Sequence, residues 1–191
     1  MLVLVVDESP ERADIVREGV RRAGYEVCAS LSSSGGLRET IEQLRPDVVV
    51  IDTESPGRDL LEQLTALAQH MPRPVVLFSS DGARETIREA VRAGVSAYVV
   101  DGLDPNRTRA IIDVAVARFE EFRRLREELA EANQKLSERK LVERAKGLLM
   151  KSRGLDEEAA HSLLRKLAMD RKLRVAEVAQ QIIEAADLLG A

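Results

Sequence analysis

The chain has 191 residues, 45% of them hydrophobic and 32% charged, with a formal net charge of −4. At a prior of about 150 residues per domain, that length suits one medium domain and a smaller one, and the apolar share is enough for a packed core. No apolar run approaches the ~20 residues of a membrane span, which excludes a spanning helix.

The opening Met1–Val6 run is apolar, but Asp7 and Glu8 follow it and no basic residue precedes it. It reads as a buried strand rather than a signal peptide. A lone Cys28 within Tyr25–Ala29 cannot form an internal disulfide and reads as a small buried hydrophobe. Together these features point to a reducing cytoplasm.

Four more strand-like runs follow, at Tyr25–Ala29, Val48–Ile51, Val75–Phe78 and Ala97–Val100, separated by amphipathic stretches such as Glu11–Ala23, Leu37–Leu44 and Arg84–Ala93. Gly24 and Gly94 suit the left-handed position after a last helical turn, and Pro46 stops the helix before the third strand. Five strands each followed by a helix predict an α/β domain over residues 1–118. Its sheet should be five-stranded, doubly wound and parallel, with helices on both faces. Functional groups in such sheets gather at the carboxyl ends of the strands.

From Asp104-Pro105 onward the strand signals stop. Ile111, Ala115, Phe122, Leu125, Leu129, Ala132 and Leu136 recur at 3- and 4-residue spacing, broken at Arg118. This predicts a long linking helix over 105–137. Its first third should pack on the α/β domain, and its seam of Phe122, Leu125, Leu129, Ala132 and Leu136 should form a dimeric coiled coil. Three further helical segments follow over residues 138–189. One spans Leu141–Ser152 and ends at Gly154, one runs from the N-cap Asp156 to about Arg171, and one starts near Arg174.

Charge is distributed unevenly. All six lysines lie beyond residue 134, at Lys135, Lys140, Lys146, Lys151, Lys166 and Lys172. The basic excess is concentrated between Arg139 and Arg174, which marks this end for a polyanion. No Phe, Tyr or Trp occurs after Phe122, so a base-stacking sheet platform is unavailable. From Ala176 onward there is no Arg or Lys, a poor composition for a major-groove recognition helix. His70 and His161 have no nucleophile or metal-spaced partner nearby, so an enzyme is not expected.

Asp7 and Glu8 end the first strand, Asp52 the third, Ser79 follows the fourth and Asp101 the fifth. Pro56-Gly57 and Asp59 come after Asp52, and Tyr98 stands three residues before Asp101. This order resembles the receiver domain of bacterial response regulators. The resemblance makes Asp52 the phosphoacceptor position and Ser79 and Tyr98 the switch pair. Mg²⁺ at Asp7, Glu8 and Asp52 is allowed but not required. Asp101-Gly102 stands where the family pattern has Lys-Pro. A phosphoryl group adds a charge of about −1.5 to −2, and a carboxylate replaces the ammonium that would offset it. Only an incoming arginine, Arg84 for example, could compensate. Phosphorylation of Asp52 is therefore not expected, and the domain is read as a protein-docking module.

Further on, Ala145-Lys146-Gly147-Leu148-Leu149-Met150 and Leu163-Leu164-Arg165-Lys166-Leu167-Ala168-Met169 resemble the signatures of the ANTAR domain, a three-helix RNA-binding module of transcription antitermination regulators. The resemblance implies binding of hairpins in leader mRNA, with RNA polymerase continuing past a terminator. The candidate RNA contacts are Arg144, Lys146, Gly147, Lys151, Arg165, Lys166, Arg171, Lys172 and Arg174. Of these, Lys146 and Arg165 are favoured as exposed cations within the signatures. Tyr98–Gly102 resembles the NasT type, which implies control of nitrate and nitrite assimilation and regulation by a nitrate-sensing partner protein. A phosphorylation-dependent DNA-binding regulator and a protein-docking adaptor are the alternative readings.

Overall fold

The computed structural model describes residues 1–100 and 104–189. The elements in order are β1 (Leu2–Asp7), α1 (Pro10–Arg22), β2 (Glu26–Leu31), α2 (Leu37–Leu44), β3 (Val48–Thr53), α3 (Arg58–His70), β4 (Val75–Ser79), α4 (Arg84–Arg92) and β5 (Ala97–Val100). Then come α5 (Pro105–Arg153), α6 (Glu157–Arg171) and α7 (Val175–Leu189). The chain forms two compact units, Met1–Arg123 and Arg124–Ala191.

In the first unit the strands make one parallel sheet in the order β2-β1-β3-β4-β5. Because side chains alternate along a strand, the continuous apolar runs divide between two faces. Leu4, Val6, Val49, Ile51, Val75 and Leu77 pack under α2, α3 and α4. Val3, Val5, Val48, Val50, Val76 and Phe78 pack under α1 and the start of α5, where Val16, Val20, Ile112 and Ala115 cover them. Each fully buried Val, Leu or Phe side chain contributes about 1.5–3 kcal/mol, so both faces are needed to hold the sheet. Cys28 is only half-buried, at the edge of the first of these clusters.

Gly24 and Gly94 adopt the positive φ expected of them, 87° and 102°. At Gly94 a side chain is doubly excluded, since a Cβ there would lie 2.7 Å from that of Ala68. The N-terminal third of the long helix packs on the sheet as expected, and the Tyr25 hydroxyl donates to Asp113 on it. Burial, reinforced by this bond, pushes the Tyr25 phenol up to about 12.

One expectation is corrected in the second half. The segment Leu141–Ser152 is not a separate helix: α5 runs for 49 residues without a break. No Pro or Gly occurs between Asn106 and Lys146, so nothing in that stretch removes a backbone donor or relaxes the helix. The second unit packs the end of α5 against α6 and α7 around Ala145, Leu149, Ala160, Leu164, Ala168, Val178, Ala179 and Ile183. The alanines allow close helix approach. Asp156 caps α6 as expected, its Oδ1 accepting from the Ala159 amide at 2.7 Å.

Candidate acidic site and nucleic-acid interface

Asp7 is the last residue of β1 and Asp52 the penultimate residue of β3, and the two lie in register with each other. By alternation both point to the face covered by α1, continuing Val3–Val5 and Val48–Val50. That placement selects the cation. Arg12 on α1 sets its Nε 3.6 Å from Asp7 Oδ1 and its Nη1 3.7 Å from Glu54 Oε1. These separations are those of charge contacts rather than hydrogen bonds. Arg84, named as an example of an arginine that could compensate, begins α4 on the opposite face; the arginine beside the two aspartates is Arg12. Nothing in the spacing of the motif singled Arg12 out; only the parity of the two aspartates together with the side on which α1 packs identifies it.

The site is not fully satisfied. Asp7 Oδ1 accepts from the Ser9 amide at 2.8 Å, but Asp7 Oδ2 and Arg12 Nε are buried without a hydrogen-bond partner among the described residues. An orphaned oxygen beside a second carboxylate suits Mg²⁺, which takes one or two carboxylates and keeps its waters. Glu8 is exposed and lines one pocket with Asp52, but among the described residues no group of three or more His, Cys, Asp or Glu is placed to hold a metal. Asp7 and Asp52 are the residues that would hold the ion.

Burial pushes the Asp52 carboxyl above its ordinary value, and the Asp7 charge pushes it further. The Arg12 guanidinium and the Thr53 amide draw it partly back. A carboxyl raised in the folded state binds more protons folded than unfolded, so its ionisation destabilises the fold as pH rises through the window between the two values. Asp52→Asn should therefore raise the melting temperature at pH 7 by about 2–4 °C, the shift that about 1 kcal/mol produces in a chain of this size. The gain should vanish as pH falls below the unfolded-state value near 4. Melting curves of both proteins across that range test this, and a gain that persists in acid would contradict it.

Ser79 and Tyr98 converge on one loop. The fully buried Ser79 hydroxyl donates to the Glu54 carbonyl at 2.8 Å and accepts from the Asp81 amide at 3.1 Å. The Tyr98 hydroxyl donates to the Asp81 carbonyl at 2.7 Å. Asp81, which the sequence reading missed, is the junction. Its carboxylate accepts from the Ala83 amide, the Ser55 hydroxyl and the Thr86 hydroxyl, and these bonds hold it below the ordinary carboxylate range. Its signal was local: an Asp two residues before the first helical turn is the pattern of an Asx turn. Asp101 lies outside the described residues.

The basic residues of the second unit fall into distinct environments. Lys146 is 7% exposed, and its ammonium donates to Glu157 at 2.8 Å and contacts Glu143 at 2.9 Å. Both bonds raise its pKa. The expectation that Lys146 is an exposed cation is corrected: it ties α5 to the first turn of α6. Arg144 pairs with Asp187 at 2.9 Å, Arg171 donates to Gln181, and Arg174 is shared between Glu138 and Glu177. Lys151, Arg165, Lys166 and Lys172 are exposed and make no ion pair among the described residues. Gly147 is exposed in the helix interior, and a Cβ there would meet nothing within 4 Å. Internal packing therefore does not require this glycine.

Phe122, Leu125, Leu129 and Leu136 are each at least half exposed along one stripe of α5, with Ala132 between them. At about 100° per residue the stripe continues the frame that buries Ala115 further up. No helix among the described residues is long and apolar enough to cross a membrane.

Comparison with known proteins gives two family matches, the response regulator receiver domain over residues 3–113 and the ANTAR domain over residues 130–183. The transcriptional regulatory protein PdtaR of Mycobacterium tuberculosis is 32% identical over 183 residues, 96% of this chain and 89% of that one. A protein-glutamate methylesterase/protein-glutamine glutaminase of Archaeoglobus fulgidus is 36% identical over 102 residues, 52% of this chain but only 29% of its own. The likeness therefore stays within the first unit. Among solved structures, the signal receiver domain of a modulated diguanylate cyclase from Desulfovibrio desulfuricans G20 superposes with a TM-score of 0.55 at 22% identity, covering 62% of this chain and 95% of that one. A LuxR-family two-component response regulator from Aurantimonas gives 0.54 at 26%, covering 61% and 84%.

Proposed function

Because the chain belongs to the response regulators that join a receiver domain to an ANTAR domain, we propose that it is a cytoplasmic antitermination regulator binding hairpins in leader mRNA. The observation that carries this reading is the set of cations in the ANTAR segment that are exposed and unpaired among the described residues, Lys151, Arg165, Lys166 and Lys172, together with the exposed backbone of Gly147 on α5. A DNA-reading helix is the competitor, but α7 has no Lys or Arg and so offers no cationic donor to a guanine edge or a phosphate. Stabilising a hairpin against a competing terminator would let RNA polymerase continue.

Regulation is read as coming through a sensor protein docking on the receiver domain rather than through phosphate. Arg12 already faces Asp7 and Asp52, and the domain has no lysine to face an added phosphoryl group. Control of nitrate and nitrite assimilation, with a nitrate-sensing partner, is the finer form of this reading. It rests on the Tyr98–Gly102 segment alone, of which Asp101 and Gly102 lie outside the described residues.

The test is recovery of the transcripts bound to the full chain in cells, followed by competition between those RNAs and duplex promoter DNA. Preference for hairpin RNA is expected, with a log–log salt slope near −3 to −5 for about four to six neutralised phosphates. Treatment with a small phosphodonor and Mg²⁺ should leave the mass of the protein unchanged. Equal affinity for promoter DNA, or an Asp52-dependent mass shift that raises RNA affinity, would overturn the reading.

A further inference from the structure

An open cleft of about 840 Å³ lies within the C-terminal unit, between α5, α6 and the turn into α7, a size in the range of small-ligand sites. Arg139 from α5, Arg165 from α6 and Lys172 from the turn line it. All three are exposed, and none makes an ion pair or side-chain hydrogen bond among the described residues. The two carboxylates on the same wall are already engaged, Glu138 with Arg174 at 3.2 Å and Glu143 with Lys146 at 2.9 Å. The uncompensated charge of the cleft is therefore positive.

Lys172 stands at the turn between α6 and α7. It caps α6 in the left-handed conformation, with φ 56°, where glycine is the usual residue because it meets no Cβ penalty. Between the cations the lining is apolar: Met169 is 76% exposed and Leu173 36%. Neither adds much to the core from there. A polarisable thioether makes favourable contacts with flat π systems, and beyond Phe122 the chain has no Phe, Tyr or Trp to do so, although the His161 imidazole also lines the cleft.

Granting RNA as the ligand, we propose that this cleft takes one unstacked nucleotide of a hairpin loop, its phosphates on Arg139, Arg165 and Lys172 and its base face against Met169 and Leu173. Charge complementarity and the apolar strip favour that occupant over a second copy of the chain. At about 100° per residue Arg144 and Lys151 lie roughly 140° and 120° around α5 from Arg139, whereas Gly147 is about 40° from Glu143 at the cleft's edge.

The test uses the full-length protein and a hairpin that it selects from an RNA pool with a randomised loop. An abasic replacement at one loop position should weaken binding to the unaltered protein at least about tenfold, within the 1–3 kcal/mol that one base contact contributes. The same replacement should matter less than about twofold in Met169→Ala, with Met169→Leu restoring most of the difference. Arg165→Ala and Lys172→Ala should each lower affinity about tenfold and reduce the salt slope by about one unit, with helicity unchanged. If every loop position is equally sensitive in Met169→Ala and in the unaltered protein, no base enters the cleft. If the variants change the sedimentation of the RNA-free protein, a second copy occupies it. Either result overturns the proposal while leaving RNA binding standing. Enrichment of no hairpin at all would instead remove the RNA reading itself, and the proposal with it.

Discussion

Replacing Leu125 and Leu129 together by aspartate should leave the protein monomeric in analytical ultracentrifugation. Both are exposed on the single chain, and with Phe122, Ala132 and Leu136 they keep the alternating 3- and 4-residue spacing of a coiled-coil seam. Two buried carboxylates per helix would remove the apolar contact and set like charges against each other. If one dimer holds two hairpins, the second contact is intramolecular, and its loss should lower apparent affinity for a tandem-hairpin transcript by about 10²–10⁴-fold. Affinity for a single hairpin should stay within about twofold. A double variant that sediments unchanged would show that the stripe is not a dimer seam.

Arg12→Ala should destabilise the receiver domain by about 2 kcal/mol, below the 3–5 kcal/mol of a fully buried pair because the guanidinium is partly solvated. The Asp7 side chain has no solvent exposure, and Arg12 is the cation that contacts it. Removing Arg12 leaves two in-register carboxylates unscreened. Combining the change with Asp52→Asn should recover at least about 1 kcal/mol, because one of the two repelling charges is then gone. Denaturant melts of the four proteins give the coupling directly. Strict additivity would mean that Arg12 does not act on the Asp7–Asp52 pair.

The backbone architecture could be read from the chain because apolar runs, glycines and caps are local signals. Val48–Ile51, Gly94 and Asp156 each specify their own conformation whatever surrounds them. Asp7 and Asp52 were legible as strand ends for the same reason. Arg12 was not, because its role depends on which sheet face α1 covers, a fact no single segment contains. Lys146 failed differently. Within its signature it looks like any other helix cation, and only the approach of α6, bringing Glu157, buries it. The unbroken α5 was legible, since no Pro or Gly interrupts 106–146. The division near residue 138 came from reading the signature as a domain edge.

Gly147 shows what the C-terminal unit gives up in its own fold. Glycine in a helix interior is less favourable than alanine by about 1 kcal/mol, a roughly fivefold factor in the unfolding equilibrium constant. Open space around the site means that alanine would meet no steric objection from within the chain. A small three-helix core has few such factors in reserve. The missing methyl group is thus a standing thermodynamic deficit of the free protein, of the size that a single favourable contact to a bound molecule would cancel.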